Sequence, residues 1–96
     1  MKASLLASLL LFSTLAFGHG TVPQQAADAV DEATNVFVQT YEKAIQRQVV
    51  SVTATKTGHE RFDVVIALKN KTAYTYDCSE NENVSPVVWE CKAIDG

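Results

Sequence analysis

The order of apolar and polar residues divides most of the chain into one helical segment and four strands. Residues 23–47 carry apolar side chains at spacings of three and four, the period of an α-helix with one buried face. After Gln48 the spacing changes to two, which is the period of a strand. The pattern predicts a single helix over 23–47, and its apolar stripe comprises Ala26, Val30, Ala33, Phe37, Tyr41, Ala44 and Ile45.

The main apolar series of the first three strands stands at even positions. Antiparallel strands whose even residues face each other need a hairpin loop with an odd number of residues. A three-residue loop at 57–59 would pair Ala54 with Phe62, and one at 69–71 would pair Ile66 with Tyr74. Both hairpins then share one apolar face, and the sequence predicts an antiparallel meander. The series comprises Val50, Val52, Ala54, Phe62, Val64, Ile66, Leu68, Tyr74, Tyr76 and Cys78.

This order of elements predicts an α+β fold, with one long N-terminal helix packed on a four-stranded antiparallel meander sheet. Residues 23–96 would form a single domain. One helix covers only one face of such a sheet, so the opposite face is either solvated or a surface for a partner or a second copy. The residues proposed for that partner surface are Val65, Ala67 and Val88.

Residues 1–18 are typical of a secretory signal peptide. Lys2 gives a positive start, residues 3–17 are almost wholly apolar, and Gly18 ends the segment with a small residue. The apolar run is shorter than the roughly 20 residues that span a bilayer. We predict cleavage after Gly18, a short tail at 19–22, and a secreted or periplasmic protein that does not insert into a membrane after cleavage.

Two cysteines, Cys78 and Cys91, are expected to form a disulfide, since paired cysteines in a small secreted domain usually do. Two free buried thiols are the alternative. A direct bridge places residues 79–90 in the connection to the last strand. A competing register pairs Tyr76 with Trp89 and separates the two sulfurs too far to bond. The bridged register is therefore expected.

The composition is that of a globular protein, with 47% apolar and 20% charged residues and a formal net charge of −3. The basic residues are scattered along the chain rather than clustered. A nucleic-acid surface needs clustered cations, so nucleic acid and anionic membrane surfaces are not expected as partners.

The sequence carries no nucleophile motif and no glycine-rich phosphate loop, and we predict a non-enzymatic protein without a cofactor. His19 at the predicted mature terminus could chelate copper together with His59, but a free tail is the simpler interpretation. The acidic series Asp77, Glu80 and Glu82 could hold Ca²⁺ weakly, yet it lacks the ligand spacing of a calcium loop. No metal is therefore expected.

Two segments match the N-glycosylation pattern, beginning at Asn70 and Asn83. Both lie in predicted loops, where a glycan could be attached if the protein is eukaryotic.

Two further segments resemble the inhibitory motifs of cystatins. Residues 48–52 (Gln-Val-Val-Ser-Val) resemble the Q-x-V-x-G segment, and residues 86–89 (Pro-Val-Val-Trp) resemble the Pro-Trp hairpin. With the helix-then-meander order, residues 23–92 are similar to a cystatin-like fold, and small secreted domains of the PepSY type are similar as well. The resemblance implies the architecture. Val52 stands where the motif has glycine, so the inhibitory residues are not carried over.

These observations leave two functional hypotheses. The first is a small secreted or periplasmic, non-enzymatic binding domain with an unidentified protein partner, or with a second copy in a homodimer. The second is an inhibitor of a secreted hydrolase, such as a cystatin-like protease inhibitor, that acts through its loops at 58–59 and 79–86.

Overall fold

The computed structural model describes residues 20–94. It contains two helices and one four-stranded sheet with the strand order β1-β2-β3-β4. The elements are α1 (Val22–Thr40), α2 (Lys43–Gln46), β1 (Val49–Gly58), β2 (Arg61–Leu68), β3 (Ala73–Asn81) and β4 (Val88–Ile94). Each strand is antiparallel to its neighbour. The α+β fold with one main helix on a meander sheet is confirmed.

The predicted signal peptide and its cleavage site lie outside the described residues. Neither helix between residues 20 and 94 combines the length and the hydropathy needed to cross a membrane.

Helix α1 begins at a capping box. The Gln24 N–H donates to Thr21 Oγ1 at 3.4 Å, and the Thr21 N–H donates to Gln24 Oε1 at 3.4 Å. These bonds satisfy backbone donors that the first helical turn leaves without partners. Pro23 stands in the same turn, where its missing N–H costs nothing.

The prediction of one continuous helix over 23–47 is wrong. Helix α1 ends at Thr40, and Tyr41 adopts an extended conformation (φ −116°, ψ 144°) before the short α2 begins. The Gln46 side-chain amide donates to the Tyr41 carbonyl at 2.8 Å and to the Val38 carbonyl at 3.2 Å, which holds the break. A straight helix of that length would measure about 37 Å and extend beyond the strands. The break instead returns the chain to the edge of the sheet.

The core lies between α1 and the even-numbered residues of β2 and β3. The buried line of the helix runs through Ala29, Ala33 and Phe37, with Gln25 at its start. The buried face of α1 is therefore rotated by about one residue relative to the expected apolar stripe. Ala26 and Val30, expected in the stripe, lie at the margin of the buried face. From the sheet, the buried residues are Phe62, Val64, Ile66, Leu68, Tyr76 and Cys78.

The second hairpin has the predicted register. Ile66 pairs with Tyr74 and Phe62 with Cys78 across a three-residue turn, 69–71. Lys71 takes a positive φ of 71° in that turn. The predicted disulfide is also present, and Cys78 lies directly opposite Cys91.

The predicted register of the first hairpin is wrong by two residues. Ala54 pairs with Val64 rather than Phe62, because the turn is shorter than expected: Gly58 pairs with Arg61, and one extra residue of β1 is accommodated before the turn. A second irregularity lies at the start of β1 between Val49 and Ser51. Val49 therefore packs against the core, whereas Val50, expected on the core face, is 60% exposed.

Strand β4 begins earlier than expected. Val88 pairs with Asn81, so pairing continues beyond the disulfide. The prediction that residues 79–90 form the connection is wrong, because β3 continues to Asn81 and β4 begins at Val88. Only residues 82–87 connect the two strands.

Candidate functional site

The sheet surface opposite α1, called the open face here, extends across all four strands. The alternation of side chains along each strand dictates its membership, since residues two apart lie on one face. No element between residues 20 and 94 packs over it. The open face comprises Ser51, Thr53, Thr55, Arg61, Asp63, Val65, Ala67, Ala73, Thr75, Asp77, Ser79, Asn81, Val88, Glu90, Lys92 and Ile94.

The three residues predicted for a partner surface share the open face but do not form one patch. Val65 lies in a row with Thr53, Thr75 and Ile94, and Ala67 lies in the adjacent row. Val88 stands six residues from Ile94 along β4, a separation of about 20 Å. The apolar patch around Val65 is therefore completed by Ile94, which is 44% exposed.

Sequence reasoning missed Ile94 because the alternating series of the last strand was followed only as far as Lys92. The disulfide settles the register of that strand, since Cys78 opposite Cys91 brings Ile94 beside Thr75. The expected bridged register, extended by two residues beyond Lys92, already places Ile94 on the open face.

An ion pair borders the apolar part of the open face. Arg61 Nε donates to Asp77 Oδ1 at 3.0 Å, and its Nη2 donates to Oδ2 of the same carboxylate. These hydrogen bonds from Arg61 lower the pKa of the Asp77 carboxyl, and the positive charges of Arg61 and Lys92 contribute. The same bonds raise the pKa of the Arg61 guanidinium. A bidentate guanidinium–carboxylate pair also fixes the orientation of both side chains.

A carboxylate cluster lies on the other side of the sheet, at the end where the β1–β2 turn and the β3–β4 loop meet. Carboxylate oxygens of Glu60, Glu80 and Glu82 lie within 4.8 Å of one another. Glu60 is only 7% exposed, and its carbonyl accepts the Glu80 N–H at 3.3 Å. His59 Nε2 approaches Glu60 Oε2 at 3.6 Å.

The structure changes the predicted acidic series. Asp77 is engaged with Arg61 on the open face, and Glu60 takes its place beside Glu80 and Glu82. Even-numbered residues of β2 and β3 lie opposite each other. This alternation could have predicted that Glu60 lies beside Glu80. Oxygen ligands of this type suit Ca²⁺, which takes roughly six to eight of them. Three carboxylates provide only part of such a shell.

The two cystatin-like segments lie at opposite ends of the sheet. Residues 48–52 lead into β1 beside the β2–β3 turn, where the Lys69 N–H donates to the Gln48 carbonyl at 2.9 Å. Residues 86–89 lead into β4 at the other end. By contrast, the β1–β2 turn and the β3–β4 loop do share one end, where His59, Glu82 and Asn83 line a common groove.

An apolar groove of about 210 Å³ lies on the helix side of the sheet, between α1 and β1. Phe37 and Ile66 form its floor, and Val38 and Val52 border it. The helix runs diagonally, so this part of the sheet is less covered than the part near the disulfide.

Both glycosylation patterns fall in exposed turns. Asn70 lies in the β2–β3 turn, where its side-chain oxygen accepts the Thr72 N–H at 3.0 Å. Asn83 lies in the β3–β4 loop, and its N–H donates to Asn81 Oδ1 at 2.9 Å. Asn83 therefore lies at the opposite end of the sheet from the patch around Val65, whereas Asn70 lies in the turn that follows Ala67.

No protein family, curated protein or solved structure matches this chain.

Proposed function

We propose that this chain is a small, extracytoplasmic, non-enzymatic binding domain whose open face receives a protein partner. The observation that carries the proposal is the apolar patch formed by Val65, Ala67, Thr75 and Ile94, over which the described chain places no element. A sheet with one face packed on the core and the other exposed presents a flat, preformed surface.

The side chains of this patch favour binding for a physical reason. Threonine, valine and alanine lose little rotamer entropy when they are ordered against a partner, in contrast to lysine or glutamate. The Arg61–Asp77 pair at its border supplies a polar rim whose side chains are already held in place. Interfaces commonly combine an apolar centre with such a rim.

The disulfide supports the extracytoplasmic part of the proposal. Structural disulfides persist in oxidising compartments and are rare in the cytosol. The apolar leader at 1–18 is the second support, from the sequence alone.

The test is affinity capture with the disulfide-bonded chain from its native extracellular or periplasmic fluid. We expect Val65→Lys to leave the circular dichroism spectrum unchanged and to weaken capture of the partner, because a lysine in the patch must be desolvated on binding. Val22→Lys, at the exposed start of α1, is the matched control and should retain capture. Equal retention by the Val65 variant would contradict the assignment of the open face.

A hydrolase inhibitor is the second candidate, and the shared position of the two loops favours it. The β1–β2 turn and the β3–β4 loop protrude at the same end, as a loop wedge would require. Alanine substitutions in both loops should abolish inhibition of a secreted hydrolase in an activity titration, while Val65→Lys should not. The reverse pattern would favour the open face.

A further inference from the structure

We propose that β4 is a self-association edge, through which two copies of this chain pair in antiparallel orientation about a two-fold axis at Cys91. The inference is independent of the partner-binding role proposed for the open face. It rests on the regularity of β4, on the direction of its outer backbone groups and on the arrangement of its charges.

The two edges of the sheet differ in regularity. Strand β1 has register irregularities near both of its ends, at Val49–Ser51 and at Lys56–Gly58. Bulges of this kind bend an edge strand and discourage its pairing with another chain. Strand β4 pairs with β3 from Val88 to Ile94 without a shift. It is therefore the straighter edge and the better template for an added strand.

The outer edge of β4 presents the backbone groups of its odd-numbered residues. The Glu80 N–H points toward β2, where it donates to the Glu60 carbonyl, so the Glu80–Trp89 pair is not hydrogen-bonded. The Cα atoms of Cys78 and Cys91 are 4.1 Å apart, the narrow spacing of a second pair of this kind. The N–H and C=O groups of Trp89, Cys91 and Ala93 consequently point to the free edge.

The sequence of β4 is complementary to its own reverse. A two-fold axis at Cys91 places Glu90 opposite the partner's Lys92, and by symmetry Lys92 opposite the partner's Glu90. It also places Val88 opposite the partner's Ile94. In the single chain, Val88 is 43% and Ile94 is 44% exposed. The outward backbone groups of the odd residues meet each other in hydrogen-bonded pairs, and the charged residues take the closer, non-hydrogen-bonded positions.

Other registers lose this complementarity. An axis at Glu90 would set that carboxylate against the partner's Glu90, and an axis at Lys92 would set two ammonium groups together. Like charges directly opposite each other destabilise a strand pair. Axes at Trp89 or Ala93 shorten the ladder. The charges therefore favour the axis at Cys91, which also uses the whole of β4.

The helix side of β4 is bordered by the acidic residues Asp28, Asp31 and Glu32 of α1. Trp89 borders a groove that it shares with Asp28 and Glu32 of α1. The residue brought opposite Trp89 is the partner's Ala93, one of the smallest side chains of β4. The product is a continuous eight-stranded sheet with both copies of α1 on one face.

The experiment is sedimentation equilibrium of the disulfide-bonded chain over a range of concentrations. We expect the average mass of the wild type to rise toward that of a dimer. Glu90→Lys and Lys92→Glu should each raise the dimer dissociation constant by about tenfold or more, because each substitution turns both cross-strand pairs into like-charge pairs. Lys69→Glu, a charge reversal in the β2–β3 turn, should leave the dissociation constant unchanged.

Two rescues identify the register. The double variant Glu90→Lys/Lys92→Glu should dimerise like the wild type, and an equimolar mixture of the two single variants should form a heterodimer. A wild type that stays monomeric up to on the order of 1 mM would overturn the proposal. If folded single variants dimerise normally, β4 is not the dimer edge. If the double variant does not regain dimerisation, the register with its axis at Cys91 is wrong.

Discussion

Reduction of the Cys78–Cys91 disulfide should lower the free energy of unfolding without removing any packed side chain. The two cysteines are 13 residues apart in sequence, so the bond closes a loop of 14 residues when both are counted. In the chain-entropy description, opening a loop of this size costs about 3 kcal/mol of stability, because the unfolded chain regains the freedom that the bond denied it.

That loss is large for so small a domain. A chain of this length is typically stable by on the order of 5 kcal/mol, so the reduced protein should remain folded but close to its limit. The Cys78 thiol would stay buried, since this residue is 0% exposed. Reduction thus removes the constraint on the unfolded chain while the sulfur atoms keep their contacts in the folded state.

The measurement is urea denaturation of the oxidised and the reduced protein, followed by circular dichroism. We expect the midpoint to fall and the extrapolated free energy to drop by about 3 kcal/mol. The double variant Cys78→Ala/Cys91→Ala should lose more, because it also leaves a cavity beside Ala29. A loss below about 1 kcal/mol on reduction would refute the view that the bond compensates for a small core.

Two further predictions concern packing and charge. Phe37→Ala should lower the free energy of unfolding by about 3–5 kcal/mol in chemical denaturation, because the residue is 2% exposed and its ring packs at a tilt against Tyr41 and Tyr74, with ring centroids 5.0 and 5.7 Å apart. A loss of under about 1 kcal/mol would contradict this packing. Because the pKa of Asp77 is lowered in the folded protein, its ionised carboxylate stabilises the fold. This stabilisation is fully present above the pKa of an aspartate in the unfolded chain, about 3.9, and is lost as the pH falls below that value. Asp77→Asn should therefore destabilise the protein at pH 7 and have little effect at pH 2, and equal effects at the two pH values would exclude the Arg61 pair as the cause.

The parity of the apolar series predicted the second hairpin but not the first, for a definite reason. A three-residue loop and a two-residue turn with one extra residue in the strand give the same parity. The second hairpin uses the first solution, at 69–71, and the first hairpin uses the other, beside Gly58. Apolar periodicity distinguishes the two faces of a strand, but not two registers that differ by an even number of residues.

The helix and the candidate site show the same limit. Tyr41 and Ile45 continue the apolar spacing of α1, so the pattern contains no sign of the break between them. The break depends on contacts beyond the helical repeat, namely the Gln46 amide bonds and the tilted ring contact of Tyr41 with Tyr74 at 4.6 Å. Likewise, the place of Ile94 on the open face depends on the disulfide register. Local patterns determined which elements form, and long-range contacts determined where they meet.

The contact between the first helix and the last strand determines when the fold can close. Both disulfide sulfurs lie against the Ala29 carbonyl oxygen, at 3.8 Å for Cys78 and 3.6 Å for Cys91. The three hairpins join only neighbouring strands and can form from contacts close in sequence. Helix α1, by contrast, lacks part of its docking surface until residue 91 is in place. Until β4 has formed, α1 therefore keeps part of its apolar face exposed and available to chaperones, and docking of β4 against α1 ends this exposure.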